Sequence, residues 1–171
     1  MKKKHTLAAG LAAVWLMAGT ALAQVCNPNI PVTAPDSRYT DNGDGTVTDQ
    51  ATGLMWKQCA EGLSGAGCGT GVEQNFTWQQ AMQQGNSQSF AGHSDWRLPN
   101  NKELASLVEG SCVDPVINLT RFPNASSSGF WSSSPDADGS GGAWIVYFGY
   151  GSVGNYGRDF NYAVRMVRDG Q

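Results

Sequence analysis

The stretch Asp95–Leu104 carries the densest set of local structural instructions in the chain. Apolar and charged residues alternate over its first four positions, which is typical of a half-buried extended segment. Pro99 fixes its own φ and disfavours helix in the residue before it, so the extended segment ends there. Asn100 is then a good helix N-cap, and Glu103 stands where its carboxylate can complete a capping box. The stretch predicts a strand end, a turn and a short helix that stops by Gly110.

The first 23 residues have the pattern of a secretory signal peptide. Lys2, Lys3 and Lys4 form a positive region, an apolar run follows, and Ala21-Leu22-Ala23 is a small-x-small cleavage site. An uncleaved membrane anchor is the alternative, but the run is short and interrupted by glycines, and no other stretch is apolar enough to span a bilayer. The chain is therefore predicted to be exported, either to the periplasm or to the cell exterior.

Cleavage after Ala23 leaves 148 of the 171 residues, which is the length of one domain with a real core. Residues 24–37 are rich in Pro and Asn and predict an extended N-terminal arm, and residues 38–171 are assigned to a single domain. Eight Lys and Arg then stand against fourteen Asp and Glu, a net charge of −6. This balance argues against a nucleic-acid partner and disfavours a sulfated ligand.

The four cysteines, Cys26, Cys59, Cys68 and Cys112, all follow the signal peptide. An even number in an exported chain predicts two disulfides, for which three pairings exist. Cys59 and Cys68 flank a Gly-rich loop that cannot order itself by burial, so a local bridge is favoured and leaves Cys26 for Cys112. A zinc site is the alternative, but there is no Cys-x-x-Cys pair and the exported part has one histidine, His93.

Strand patterns occur at both ends of the chain, and two helices are predicted between them. Residues 38–56 contain β-forming stretches separated by Gly-containing turns, which predicts a β-hairpin. Thr77 can cap a short helix that begins at Trp78, and the second helix is the one after Pro99. This arrangement predicts an α+β domain.

The last third of the chain predicts a small antiparallel sheet. Residues 130–134 and 143–148 are rich in β-formers, and the Gly- and Tyr-rich residues 149–157 are assigned to a turn. Residues 162–168 alternate apolar and basic side chains, which predicts a strand with one solvent-exposed face.

Several motifs follow one another in an order that resembles a known family. They are Asp44-Gly45-Thr46-Val47-Thr48-Asp49, Thr52-Gly53-Leu54-Met55-Trp56, Thr77-Trp78, Asp95-Trp96-Arg97-Leu98-Pro99 with Glu103-Leu104, Phe130-Trp131-Ser132-Ser133 and Val164-Arg165-Met166-Val167-Arg168. The series resembles the bacterial domain family typified by the C-terminal domain of the Legionella collagen-like adhesin. The resemblance implies a secreted, adhesin-like binding module whose partner is a glycan or a cell-surface protein, and which can form oligomers.

Arg97-Leu98-Pro99 with Glu103, together with the closing residues 164–168, is also similar to formylglycine-generating enzymes and their relatives. That similarity implies a C-type-lectin-like fold, with two short helices and a twisted antiparallel sheet. The chemistry of those enzymes requires redox-active cysteines late in the fold, and no cysteine follows Cys112. Fold similarity does not carry activity with it. We interpret the central stretch as framework, in which Arg97 pairs with a carboxylate.

Neither catalysis nor a cofactor is predicted. A catalytic triad needs side chains that converge in space, which the sequence neighbours His93, Ser94 and Asp95 do not establish. The chain is therefore predicted not to be an enzyme. Calcium is the one candidate ion, because Asp136 and Asp138 lie in a late loop comparable to that of sugar-binding C-type lectins, but an exposed turn favours the same residues.

The candidate ligand-binding residues are Tyr147, Tyr150, Tyr156, Arg158 and Asn161. Tyrosine combined with Gly, Ser and Asn is the composition of adaptable binding surfaces. Cross-strand aromatic packing explains Tyr147 well, but it explains Tyr150 and Tyr156 in the predicted turn less well. The tryptophans occur in apolar-patterned stretches and are assigned to the core.

The predicted function is glycan or surface-protein binding through these late loops. Two alternatives stay open, a structural or assembly component of the cell envelope and an exported enzyme of unknown reaction.

Overall fold

The computed structural model describes residues 23–86, 89–138 and 141–170. The predicted signal peptide, apart from Ala23, lies outside the described residues and stays a prediction. The strands and α-helices are, in chain order, β1 (Val25–Cys26), β2 (Tyr39–Asp41), β3 (Thr46–Asp49), β4 (Leu54–Lys57), β5 (Leu63–Ser64), β6 (Thr70–Gly71), β7 (Asn75–Phe76), α1 (Trp78–Asn86), α2 (Asn101–Ala105), β8 (Cys112–Val113), β9 (Gly129–Pro135), β10 (Gly142–Tyr147), β11 (Ser152–Gly157), β12 (Tyr162–Ala163) and β13 (Val167–Asp169). Two 3₁₀ turns lie at Asp36–Arg38 and Ala66–Cys68.

Two sheets dominate the architecture. The first has the strand order β13-β4-β3-β2, with all neighbours antiparallel. The second has the order β11-β10-β9-β12-β7 and is antiparallel except between β12 and β9. Two short ladders, β1 with β8 and β5 with β6, complete the strands. The α+β class is thereby confirmed, while the C-type-lectin-like architecture and the boundary at residue 38 remain predictions.

The five-stranded sheet is covered on both faces. Adjacent residues of β10 contribute to different apolar clusters, since successive side chains of a strand point to opposite faces. Val146 packs in one cluster with Leu104 of α2. Ile145 packs in the other with Trp131 and with Ala81 of α1. A ligand-binding surface on this sheet must therefore lie at its rim or edge.

The central stretch folds as its sequence predicts. Asn100 Oδ1 accepts a hydrogen bond from the Glu103 N–H at 2.9 Å, and Glu103 Oε2 accepts one from the Asn100 N–H at 2.7 Å, which completes the capping box. Arg97 donates to both oxygens of Glu103 at 2.8 and 2.9 Å. The helix is shorter than predicted and ends at Ala105. One carboxylate thus both caps α2 and ties it to the preceding extended segment.

Both predicted disulfides are present, Cys26–Cys112 and Cys59–Cys68. The first joins the N-terminal arm to β8. The arm is also held by the buried carboxylate of Glu109, which accepts hydrogen bonds from the N–H groups of Thr33 and Ala34 and from the N–H and hydroxyl of Ser111. Burial opposes ionisation of Glu109, but these donors outweigh it and hold its pKa below the usual value.

The prediction of an exposed basic face on residues 162–168 is wrong, because both Arg165 and Arg168 are buried. Arg165 donates to the carbonyl oxygens of Lys57 and Gln58, and its guanidinium lies 5.0 Å from the ring centroid of Phe122. Burial lowers the pKa of Arg165 to about 10. Arg168 donates to Asp95 Oδ1 at 2.8 Å. The segment runs between the two sheets, so neither of its faces meets solvent.

Acidification tests the buried carboxylates. Burial likewise opposes ionisation of Asp49, but hydrogen bonds from Arg38, Thr52 and the Ala51 N–H hold its pKa below the usual value. Because the folded pKa values of Asp49 and Glu109 lie below the unfolded value of about 4, their stabilisation is complete above that pH and is lost as the pH falls through the folded values. We therefore expect the free energy of unfolding in urea to fall on acidification below about pH 4.

The variant Glu109→Gln provides the internal comparison. It should be less stable than the wild type at neutral pH, because the arm loses its charged acceptor. It should also lose less stability on acidification, because one titrating carboxylate is gone. An unchanged pH dependence in Glu109→Gln would show that Glu109 does not carry the effect.

Candidate binding surface

Residues 149–157, predicted to be a turn, contain the six-residue strand β11. The turn is confined to the residues before it, where the Gly151 N–H donates to the Tyr147 carbonyl at 2.9 Å. β11 pairs with the apolar strand β10 in a register that places Tyr156 opposite Ala143. The turn prediction failed because the two glycines of β11 lower its own strand propensity. Pairing with the buried strand β10 nevertheless supplies the backbone hydrogen bonds that make β11 a strand.

The five candidate residues fall into two groups rather than one. Tyr147 and Tyr150 lie at the turn, with ring centroids 4.8 Å apart. Tyr156, Arg158 and Asn161 lie at or beyond the far end of β11. Tyr147 lies in β10, and Tyr156 of β11 pairs with Ala143 of β10, four residues before Tyr147. Four residues of a strand span about 13 Å. A single tyrosine site is therefore not formed.

The turn group is explained mainly by local packing. The Tyr147 ring covers Gly149 so closely that a Cβ at that position would collide with it. Tyr150 stacks on Tyr147 from outside and remains 69% exposed. Tyr147 thus packs within its own turn, and its partners on the neighbouring strands, Ser152 and Gly129, offer no aromatic ring for the predicted cross-strand pair.

Tyr156, of the second group, belongs to a row of four aromatic rings. Centroid distances along it are 6.4 Å from Phe160 to Tyr156, 5.4 Å from Tyr156 to Tyr162 and 5.0 Å from Tyr162 to Trp131. Trp131 is fully buried, Tyr162 is half-buried, and Tyr156 and Phe160 are 42% and 56% exposed. Burial raises the pKa of Tyr162. The row begins in the core and ends in solvent.

Gly154 allows this row to lie against β11. A Cβ at position 154 would stand 3.2 Å from the Tyr156 ring, in tight contact. The buried end of the row is fixed by the Trp131 indole, whose N–H donates to the Phe76 carbonyl at 2.7 Å. The exposed rings are therefore positioned by a series of contacts that starts at the buried Trp131 and passes through the half-buried Tyr162.

Arg158 extends the row towards α1. Its guanidinium lies 4.3 Å from the ring centroid of Trp78, a stacked cation–π geometry, and its Nε donates to the Gly142 carbonyl at 3.1 Å. The Trp78 N–H donates to the Arg158 carbonyl at 3.0 Å, and the indole N–H donates to the Ser132 carbonyl at 2.8 Å. Trp78 is half-buried and is thus only partly a core residue, unlike Trp131.

A groove of about 680 Å³ lies beside this stack. Its lining residues are Thr77, Trp78, Gln79, Met82, Arg158 and Asp159. We call the surface formed by Trp78, Met82, Tyr156, Arg158 and Phe160 the aromatic surface.

Two of these five residues, Tyr156 and Arg158, are among the candidate ligand-binding residues named from the sequence. Sequence reasoning missed Trp78 because a tryptophan on an apolar helix face usually belongs to the core. Phe160 had a usable signal, since it stands alone between Asp159 and Asn161 in a polar turn and is exposed. Asn161 is exposed beside the row.

The loop proposed for calcium shows turn hydrogen bonds. The Asp138 N–H donates to Asp136 Oδ1 at 3.3 Å, and the Asn155 amide donates to the other oxygen of Asp136. Gly139 and Ser140 lie outside the described residues, and within the described part no cluster of three or more His, Cys, Asp or Glu could hold a metal ion. Calcium binding stays a prediction.

A family model described as the Lcl C-terminal domain matches residues 45–168. The matched region includes the whole aromatic surface, both helices and the closing strand up to Arg168, and it excludes the N-terminal arm. No curated protein matches the chain significantly. Along the described residues, no helix is both long and apolar enough to cross a membrane.

Substitutions in the aromatic row should separate its surface end from its core end. Tyr156→Ala and Phe160→Ala each remove a ring that is about half exposed, so each should lower the free energy of unfolding by about 1 kcal/mol. Trp131→Ala leaves a cavity in the core and should cost about 3 to 5 kcal/mol. Urea denaturation measures all three. If the two surface variants were as unstable as Trp131→Ala, the exposed rings would be structural.

Proposed function

We propose that the chain, which belongs to the Lcl C-terminal domain family, is an adhesin-like binding module that holds a glycan on its aromatic surface. The family match supports an adhesin-like role. The observation that carries the choice of surface is the row of rings that leaves the core and ends exposed at Tyr156 and Phe160. Arg158 lies between these two residues in the sequence, and its guanidinium lies over the Trp78 ring.

The chemistry of the aromatic surface suits a sugar ring. A pyranose presents an apolar C–H face, which can stack on Tyr156 or Phe160, and hydroxyl groups at its edge. Arg158 offers charge-assisted N–H donors, and its stacking on Trp78 fixes the plane of the guanidinium. Tyrosine adds a large amphipathic ring at a low cost in conformational entropy.

The groove beside the stack supplies the remaining polar groups. Gln79 and Asp159 line it, and Met82 adds an apolar side chain that is 38% exposed. An amide and a carboxylate can accept hydrogen bonds from hydroxyl groups that the arginine does not contact. We propose binding without catalysis, because the aromatic surface combines stacking groups with hydrogen-bonding groups that orient a ligand.

The two disulfides support a location outside the cytoplasm. Such bridges persist in oxidising compartments and are rare where thiols are kept reduced. We propose an extracellular location, in keeping with an adhesin-like family.

A glycan array followed by titration calorimetry tests the proposal. Tyr156→Ala and Arg158→Ala should each weaken binding of the selected glycan by about tenfold or more, since each removes a stacking or charge-assisted contact. Tyr150→Ala is the matched control, because it removes an even more exposed tyrosine at the other end of the hairpin, and it should bind like the wild type. Equal losses in all three variants would contradict the assignment of the surface.

A second candidate is a protein partner, and the edge strand β11 favours it. The Phe148 N–H donates to the Ser128 carbonyl, so the backbone groups of Tyr147 point towards β11 instead. In the paired strand, Val153 and Asn155 consequently direct their N–H and C=O groups away from the sheet. Within the described ranges no strand pairs with that outer side, and β11 has neither charge nor proline.

The two candidates give different results with one variant. Val153→Pro removes an outward N–H donor and should abolish strand addition by a partner protein. It should leave glycan binding at the aromatic surface intact. A chain that binds no arrayed glycan, but captures a surface protein in a Val153-dependent manner, would replace the first candidate by the second.

A further inference from the structure

A second cavity lies apart from the aromatic surface. Its volume is about 570 Å³, within the range of small-molecule sites. It is enclosed by the turn between β2 and β3, the loop closed by the Cys59–Cys68 disulfide, and Phe90. None of the residues of the aromatic surface lines it.

An ion pair lines this cavity. Lys57 Nζ lies 2.9 Å from Glu61 Oε1, and the two side chains keep only 10% and 11% of their surface exposed. The ammonium group also lies 4.8 Å from the ring centroid of Phe90. A buried ion pair is a weak source of stability, because desolvation offsets its attraction. Its position in the wall of a cavity places both charges within reach of a ligand.

The backbone around the ion pair is fixed from behind. Arg165 donates to the carbonyls of Lys57 and Gln58. The Lys57 N–H donates to the Met166 carbonyl at 3.0 Å, and the Glu61 N–H donates to the Val164 carbonyl at 2.9 Å. The two charged groups are therefore held in place before any ligand arrives, which lowers the entropic cost of binding.

We propose that this cavity binds a neutral sugar residue through two adjacent hydroxyl groups. A hydroxyl both accepts and donates hydrogen bonds, so a vicinal diol can accept from the Lys57 ammonium and donate to the Glu61 carboxylate. The Phe90 ring in the same wall gives the apolar face of the sugar a surface to contact.

The charges around the cavity select a neutral sugar over an acidic one. Lys57 and Glu61 balance each other, while the exposed carboxylates of Asp41 and Asp44 also line the cavity. Asp41 Oδ1 accepts from the Gly43 N–H, and Asp44 Oδ1 accepts from the Thr46 N–H, so both carboxylates are held by the turn. A sulfated or carboxylated sugar would meet like charge there.

Amide chemical-shift titration of the labelled protein tests the proposal. The probes are the methyl glycosides of glucose, galactose, mannose and N-acetylglucosamine, together with methyl glucuronide and glucose 6-sulfate. At least one neutral probe should shift the amide signals of Gly45, Glu61 and Phe90 at millimolar concentration, and the two anionic probes should shift them less. The absence of shifts at these amides with every neutral probe would overturn the proposal.

Variants locate the binding. Glu61→Gln should weaken it by about tenfold or more, because a charged acceptor is lost. Ala66→Trp places an indole in the cavity from an exposed position and should abolish binding without touching the ion pair. If Glu61→Gln does not fold, Ala66→Trp alone tests the proposal. Sugar binding that persists in Ala66→Trp would show that the cavity is not the binding site.

Tyr156→Ala separates the two sites. It should leave the shifts of Gly45, Glu61 and Phe90 unchanged, whatever becomes of glycan binding at the aromatic surface. If Tyr156→Ala removed those shifts, the sugar would be bound at the aromatic surface and the cavity proposal would fail.

Discussion

The backbone of residues 163–168 is the connection on which the rest of the structure depends. Its residues are buried, so each N–H and C=O group must find a protein partner. The carbonyls of Val164 and Met166 accept from Glu61 and Lys57, and Val167 exchanges two hydrogen bonds with Arg97. This short segment therefore joins the five-stranded sheet, through β12, to the four-stranded sheet, through β13, and fixes the central stretch against both.

The same segment positions both proposed sites. On the side of β12, Tyr162 carries the aromatic row from Trp131 in the core to Tyr156 at the surface. On the other side, Arg165 and the two carbonyls hold Lys57 and Glu61 in the wall of the cavity. Tyr156 is supported by the half-buried Tyr162, and the backbone of Lys57 and Glu61 is held by buried residues of this segment. Substitutions in this segment should therefore disturb both sites together, whereas substitutions at the rims separate them.

Apart from the α+β class and the Cys26–Cys112 bridge, which is assigned by elimination, what the sequence predicts correctly is local. The capping box of Asn100 and Glu103 depends on a spacing of three residues, and the Cys59–Cys68 bridge depends on a short Gly-rich loop. The burial of Arg165 could not be read from alternation, because Lys57 and Gln58, whose carbonyls accept its hydrogen bonds, lie more than a hundred positions earlier in the chain. β11 was missed because its partner β10, not its own composition, makes it a strand. The candidate tyrosines were split for the same reason, since pairing extends the chain between Tyr147 and Tyr156.

The burial of both sheet faces explains why an aromatic surface lies at the rim. In a sheet with one open face, Tyr156 and Phe160 could spread over it, but here the two faces of β9 and β10 are covered by apolar clusters that include α2 and α1, and β11 is left exposed at the edge. An uncharged edge strand with exposed Val153 and Tyr156 is a site of association unless something else keeps molecules apart. The net negative charge of the chain makes copies of the molecule repel one another, although the edge strand β11 itself is uncharged. A partner without negative charge, whether glycan or strand, meets no such barrier, which is the physical reason to expect ligands that are not anionic at this end of the molecule.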